Sequence, residues 1–266
     1  MSSRTHHPLA SSIGFSKRTA HAYDSAGHDY LVYADGDETA PFAFTGKYSF
    51  ADREIWRRLD ATLKRLFAEG RRSLSVLDAG CGPGTWLRRL ALRAREIGFD
   101  RVNAFGFDIS PVMIALAKAT SSQIDDQAIR ISYAIRDITD GPAFGNEEFD
   151  ICLCLYGVLN HLPASTHGRV AAELSRVTKD SLFVTVRAAG SQPTIYVDSL
   201  DQAREFFQDN QTDKMEIDML NGVHISFTSH LFTSDELQAL FNPHLAGSAL
   251  VGIDVFHSRF ASDKRW

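Results

Sequence analysis

The chain has 266 residues, 44% of them hydrophobic and 23% charged, with a formal net charge of −5. That balance is ordinary for a globular protein, and the length allows one or two domains. The net acidity argues against a nucleic-acid partner, which asks for a concentrated basic face.

Residues 1–50 are rich in aromatics, with Tyr23, Tyr30, Tyr33, Phe42, Phe44, Tyr48 and Phe50, and read as a lid segment ahead of a main domain at 51–266. A helix is expected over Phe50–Phe67, where Ile55, Trp56, Leu59, Leu63, Leu66 and Phe67 make one apolar stripe. Strand and helix then alternate. Strands are expected at Ser73–Leu77, Val102–Phe107, Ile129–Ala134, Phe149–Leu155 and Leu182–Arg187, and helices at Thr85–Ile97, Pro111–Thr120 and Ala164–Val177. Ser110-Pro111 is a helix start, with Ser as cap and Pro at the first helical position. This alternation predicts an α/β fold, a mostly parallel, doubly wound sheet with helices on both faces.

Residues 190–232 form an insert after the fifth strand, read as a capped helix from Ser199 through Glu205, Phe206 and Phe207, followed by a hairpin. Lys214–Met219 and Val223–Phe232 flank Asn221-Gly222, a strong hairpin signal. Thr233 and Glu236 then form a capping box for a helix at Ser234–Phe241, and Ser248–His257 reads as a sixth strand.

Cys81, Cys152 and Cys154 are odd in number and lack metal-ligand spacing, so buried reduced thiols and no bound metal are expected. The N-terminus lacks a continuous apolar leader. The longest apolar run, Ile151–Leu159, is far below the ~20 residues of a membrane helix. The default setting is a reducing cytoplasm, without membrane attachment, as a monomer or homodimer.

The most informative stretch is Val76-Leu77-Asp78-Ala79-Gly80-Cys81-Gly82-Pro83-Gly84-Thr85-Trp86. A buried strand ends in a carboxylate, three glycines follow at every second position, and a helix begins at once. Such a loop lets backbone approach a bound molecule, and the helix start offers free N–H groups. A dinucleotide fingerprint, Gly-x-Gly-x-x-Gly, places its third glycine one residue later. Asp78 would also repel a pyrophosphate and suits a ligand carrying an ammonium.

The stretch resembles the Asp/Glu-x-Gly-x-Gly-x-Gly loop of class I methyltransferases, which binds S-adenosylmethionine. The resemblance spans about residues 50–257 and implies a Rossmann-like sheet with Asp78, Gly80 and Gly82 at the cofactor. Asp108, ending the second strand, fits the ribose hydroxyls as a charged acceptor, with Ile109 beside it. Asp137 and Ile138 match the family's adenine position, although Asp140 competes for it. The family's sheet normally ends in an antiparallel pair, giving seven strands. Here either the last strand is very short or the hairpin takes its place.

Phe149-Asp150 leading through Leu155 to Gly157-Val158-Leu159-Asn160-His161-Leu162 resembles the fourth-strand segment of small-molecule members. The strand end, with Leu155 and Tyr156, faces the transferable methyl in that family. His161 reads equally as a general base or as a loop residue bonded to backbone. Tyr23-Asp24…Asp29-Tyr30 resembles a segment that covers the methionine end of the cofactor.

The acceptor is expected to be a small molecule, with a diphosphate as one candidate form. Tyr30, Tyr48, Tyr156 and Phe207 are candidate aromatic walls, and Lys47, Arg53 and Arg187 candidate anchors for an anionic head group. These features, with a looser similarity to bacterial prenyl methyltransferases, suggest C-methylation of isopentenyl diphosphate or a related prenyl compound through a carbocation. Tyr23, His161, Tyr196 and Glu205 are then candidate bases. The alternatives are O- or N-methylation of a specialised metabolite, or a regulatory subunit that binds S-adenosylmethionine without turnover.

Overall fold

The computed structural model describes residues 9–26, 44, 49–141, 144–189, 203–209, 212–219, 222, 224–245, 247 and 249–251. Helices α1 (Leu9–Ala26) and α2 (Ser49–Ala68) precede five parallel strands, β1 (Ser73–Ala79), β2 (Arg101–Asp108), β3 (Ile129–Ile135), β4 (Phe149–Cys154) and β5 (Thr178–Val184). Their order across the sheet is β3-β2-β1-β4-β5. Helices α3 (Thr85–Ile97), α4 (Pro111–Ser121) and α5 (Ala164–Val177) make the crossovers. The order reverses between β1 and β4, and in open α/β sheets ligands bind outside the strand ends at that crevice.

All six residues of β4 are buried, as expected for a central strand covered on both faces. Ile151 and Leu153 join a core with α2 and α3, whereas Phe149, Cys152 and Cys154 join a core with α5 and α6 (Ser234–Phe241). In α2, Leu59, Leu63 and Leu66 are fully buried, each worth about 1.5–3 kcal/mol relative to exposure. In α3, Leu87, Leu90, Ala91 and Ala94 form the inward stripe, and Gly98 closes the helix at φ 117°. Ser110 caps α4 by accepting from Met113 N at 3.1 Å. Thr233 and Glu236 form the expected capping box. Cys81, Cys152 and Cys154 are buried and free.

A second, antiparallel sheet contains β6 (Ala203–Asp209), β7 (Lys214–Met219) and β8 (His224–Thr228). The hairpin is therefore present, but Ala203–Asp209 is a strand and not the expected helix. Its backbone pairs with β7 from Ala203↔Met219 to Asp209↔Lys214. Pairing to an open hairpin edge outweighs the helix cap at Ser199, and two adjacent phenylalanines suit a strand. A second correction concerns β5, expected at Leu182–Arg187. It begins at Thr178, without a loop after α5, and reaches register with β4 through an irregularity between Phe149 and Ile151. Thr185–Arg187 instead lead out of the sheet. Most of the expected sixth strand, including Gly252–His257, lies outside the described residues, and Ala249–Val251 are not in a strand. Among the described residues no helix is long and apolar enough to cross a membrane.

Candidate functional site

The glycine loop joins β1 to α3 at the crevice. Gly80, Gly82 and Gly84 all have left-handed backbones, with φ of 78°, 51° and 78°. The N–H groups of Gly80 and Cys81 donate to the Phe107 carbonyl at 2.8 and 2.9 Å, tying the loop to the end of β2. A Cβ at Gly80 would lie 2.4 Å from Val158 Cγ2, so this glycine lets the exits of β1 and β4 close together. A Cβ at Gly84 would lie 2.4 Å from the Tyr133 hydroxyl, which pairs with Ser121 Oγ at 2.7 Å. The third glycine thus makes room for a β3 side chain under the helix start.

Three carboxylates surround this loop. Asp78 is 3% exposed and accepts no hydrogen bond from any described residue. Burial, then the nearby Asp108, push its carboxyl up to about 8. A buried acid of this kind fits a cationic ammonium, which would supply the missing counter-charge. Asp108 Oδ2 accepts from Gly82 N and Oδ1 from Ser110 N, both at 2.9 Å. Its carboxyl is raised by burial and lowered in part by those backbone donors. It fixes the loop against the end of β2. Asp24, on α1, accepts from Ser110 Oγ at 2.5 Å and from Val112 N at 3.3 Å.

Asp137 is locally engaged. Oδ1 accepts from Thr139 N at 2.8 Å and Thr139 Oγ1 at 2.7 Å, capping the short 3₁₀ turn Ile138–Asp140, and Oδ2 accepts from Ser16 Oγ of α1. Ile138 is buried in the α5–α6 core, Ile109 is half-buried beside Asp108, and Leu155 is buried in the α2–α3 core. One face of α1, carrying Ser16, Tyr23 and Asp24, therefore reaches the ends of β3, β4 and β2.

Beyond β4 the chain splits into two polar pairs. Tyr156, at φ 58°, donates from its hydroxyl to Asp52 Oδ1 of α2. Its backbone N–H donates to Thr185 Oγ1 at 2.7 Å. Five residues later, His161 Nε2 lies 3.2 Å from the Tyr23 hydroxyl and Nδ1 lies 2.8 Å from the Thr228 carbonyl. A carbonyl can only accept, so Nδ1 carries the proton and Nε2 presents a lone pair to Tyr23. Burial, with Arg187 nearby, pushes the His161 imidazole down to about 4. Arg187 is itself buried and donates to Ser229 Oγ at 2.5 Å.

Asn160, completely buried, holds this region together. Its side chain accepts from Arg187 N at 2.9 Å and donates to the carbonyls of Arg187 and His230, while its own carbonyl accepts from His230 N at 2.7 Å. Asp150 lies at the opposite end of β4 from the site, where it accepts from Arg71 at 2.8 Å and from Ser75 N and Oγ at 2.9 Å.

Arg53 is exposed and donates to the Phe44 carbonyl at 3.4 Å. Glu205 and Phe207 lie on β6, but their side chains, with Tyr30, Lys47, Tyr48 and Tyr196, fall outside the described residues. Sequence reasoning did not single out Ser16, Asp52 or Asn160, and no local pattern marks them. Asp24 was noted only within its Tyr-Asp segment. Among the described residues no group of three or more His, Cys, Asp or Glu side chains is arranged to hold a metal ion.

Residues 76–181 match the family model described as a methyltransferase domain. That segment runs from β1 into β5 and carries the glycine loop, Asp108, Asp137 and His161. With this loop and sheet, the match supports a class I methyltransferase domain that uses S-adenosylmethionine. Magnesium protoporphyrin IX methyltransferase from Synechocystis PCC 6803, solved with S-adenosylhomocysteine, is similar at a TM-score of 0.51 and 17% identity, over 86% of this chain and 88% of that one. A methyltransferase from Methanosarcina mazei is similar at a TM-score of 0.45 and 20% identity, over 65% of this chain and 79% of that one. At 17% identity the likeness to the Synechocystis enzyme is one of fold. No curated protein matches the chain.

Proposed function

We propose that the chain methylates a small molecule that must lose a proton in the reaction, with Tyr23 and His161 receiving it. The observation that carries this reading is the 3.2 Å approach of the Tyr23 hydroxyl to a His161 Nε2 whose tautomer is set by Thr228. S-adenosylmethionine, when bound, supplies a methyl already activated on a sulfonium. Asp78 holds a cationic group, Asp108 a pair of hydroxyls, and the backbone of the glycine loop allows close approach. The remaining task is to align acceptor and methyl, which positioning alone accelerates strongly.

The low basicity of His161 bears on the acceptor. An imidazole pushed down to about 4 is proton-free at neutral pH, but too weak to ionise an alcohol beforehand. It can take a proton from a product that has already become cationic. Two acceptors generate such a product: an alcohol, through an oxonium, and an alkene, through a carbocation. An amine product can shed its proton to water and needs neither residue.

C-methylation of isopentenyl diphosphate or a related prenyl compound is the specific form of the alkene reading. The aromatic group of Phe44, Trp56, Trp86 and Tyr156, with neighbouring ring centroids 5.9–6.4 Å apart, favours it as a cation-tolerant wall. O-methylation of a small metabolite makes the simpler demand on charge, since Arg53 is turned to the Phe44 carbonyl. An acceptor panel with labelled cofactor and mass detection tests these readings, using isopentenyl diphosphate, a prenyl alcohol, a phenol and a primary amine. Methylation of the alcohol or the alkene supports the proton-accepting pair. Methylation of amines alone overturns it. Cofactor binding without turnover across the panel favours a regulatory subunit.

A further inference from the structure

The exit of β4 carries a second hydroxyl-bearing pair, with different chemistry from the first. Tyr156 and Asp52 join the exit of β4 to the first turn of α2, and Trp86, which follows the glycine loop, packs against Tyr156 with ring centroids 5.9 Å apart. Trp86 also stacks on Phe44 at 6.0 Å and 19°. Tyr156 lies on the α2–α3 side of the sheet, while Leu159 and Leu162, which flank His161, pack on the α5–α6 side. The two pairs thus follow the same strand but have different partners, α2 for Tyr156 and α1 with β8 for His161.

Two details argue for more than core packing. Tyr156 adopts φ 58°, a conformation costly for a bulky aromatic residue and concentrated at functional sites. Its backbone is held there by Thr185 Oγ1 at 2.7 Å. Asp52 is an acid drawn into aromatic surroundings, with burial raising its carboxyl and Tyr156, Arg89 and Arg53 pulling it back. A phenol that donates a hydrogen bond to a carboxylate is polarised, which makes its oxygen a better hydrogen-bond acceptor.

We propose that Tyr156 contacts the methyl acceptor and that Asp52 is its positioning residue, together selecting a molecule with an O–H donor beside an aromatic or apolar body. The proposal deepens the methyl-transfer reading and rests on it. Binding to the protein saturated with S-adenosylhomocysteine provides the test, with phenol and anisole as probes, because anisole carries a methyl group in place of the donor hydrogen. Wild type is expected to bind phenol about tenfold more tightly than anisole, the scale of one hydrogen bond to a polarised group. Tyr156→Phe should abolish that preference, and Asp52→Asn should reduce it. Both variants should keep the affinity for S-adenosylhomocysteine within about twofold. A purely structural role would move thermal stability and leave the phenol-to-anisole ratio unchanged. That unchanged ratio, or the lack of any phenol preference in wild type, overturns the proposal. Loss of S-adenosylhomocysteine binding in wild type would instead strike at the methyl-transfer reading.

Discussion

The ends of β1 and β2 and the end of β4 are built by opposite means. At β1 and β2 the work is done by backbone. Gly80 and Cys81 bond to Phe107, Gly82 bonds to Asp108, and the partners lie within one strand–helix–strand unit. At β4 the work is done by side chains that meet from 138 residues apart in Tyr23–His161 and 104 apart in Tyr156–Asp52. On the proposed roles, the difference predicts that grip on the methyl donor and choice of the receiver rest on different groups that share α1, which carries both Tyr23 and Asp24, so a substitution in one half should disturb that half more than the other.

His161→Gln should break the β4 half most severely. Turnover is expected to fall by about 10² to 10⁴, the scale of a lost acid–base group, with S-adenosylhomocysteine affinity by calorimetry unchanged. A parallel loss of cofactor affinity would show that the halves are not separable. Asp108→Ala acts on the other side. It should weaken cofactor binding by about 1.5–3 kcal/mol, with acceptor KM preserved.

Asp78 sharpens the comparison through pH. Its carboxyl, at about 8 in the folded protein, must ionise to hold a cation. Affinity for S-adenosylhomocysteine should therefore rise by up to about tenfold per pH unit below 8 and level off above it. Asp78→Asn should flatten the profile. The same group sets a stability trend. The unfolded chain releases this proton near pH 4 and the folded chain near 8, so the folded state binds more protons between them. Stability of the ligand-free protein should fall across that window as pH rises, and less so in Asp78→Asn. A wild-type melting profile indistinguishable from the variant's would count against this assignment. Ser16→Ala is the mildest change. Loss of its bond to Asp137 should cost about 0.5–1.5 kcal/mol in chemical denaturation.

Legibility followed the same division. The helices Thr85–Ile97, Ala164–Val177 and Ser234–Phe241 begin and end where the sequence places them; Gly98 closes the first and Thr233 opens the third, while Ala164–Val177 has no side-chain cap and follows its periodicity alone. Asp78 and the glycines were readable because a tight turn confines its requirements to adjacent residues, and Asp108 because it ends the strand paired beside β1. Asp52 could not be read, since it is one acid on a charged helix until the fold carries Tyr156 to it. Ala203–Asp209 misled for a related reason. Its state is decided by pairing with β7, and no propensity inside the segment records that edge. Tyr23 and His161 were each readable as polar residues near the site, but their contact required both the path of α1 and the Thr228 carbonyl.

Asn160 has a consequence for engineering. One buried amide bonds the backbone of residue 187, which leaves β5, and of residue 230, which follows β8. The segment after β5 is therefore not a cassette. A graft taken from another enzyme would arrive with a backbone cut to a different amide, and His161 would drift with the mismatch. A successful exchange should carry residues 157–161 along with the graft, as one transplanted unit.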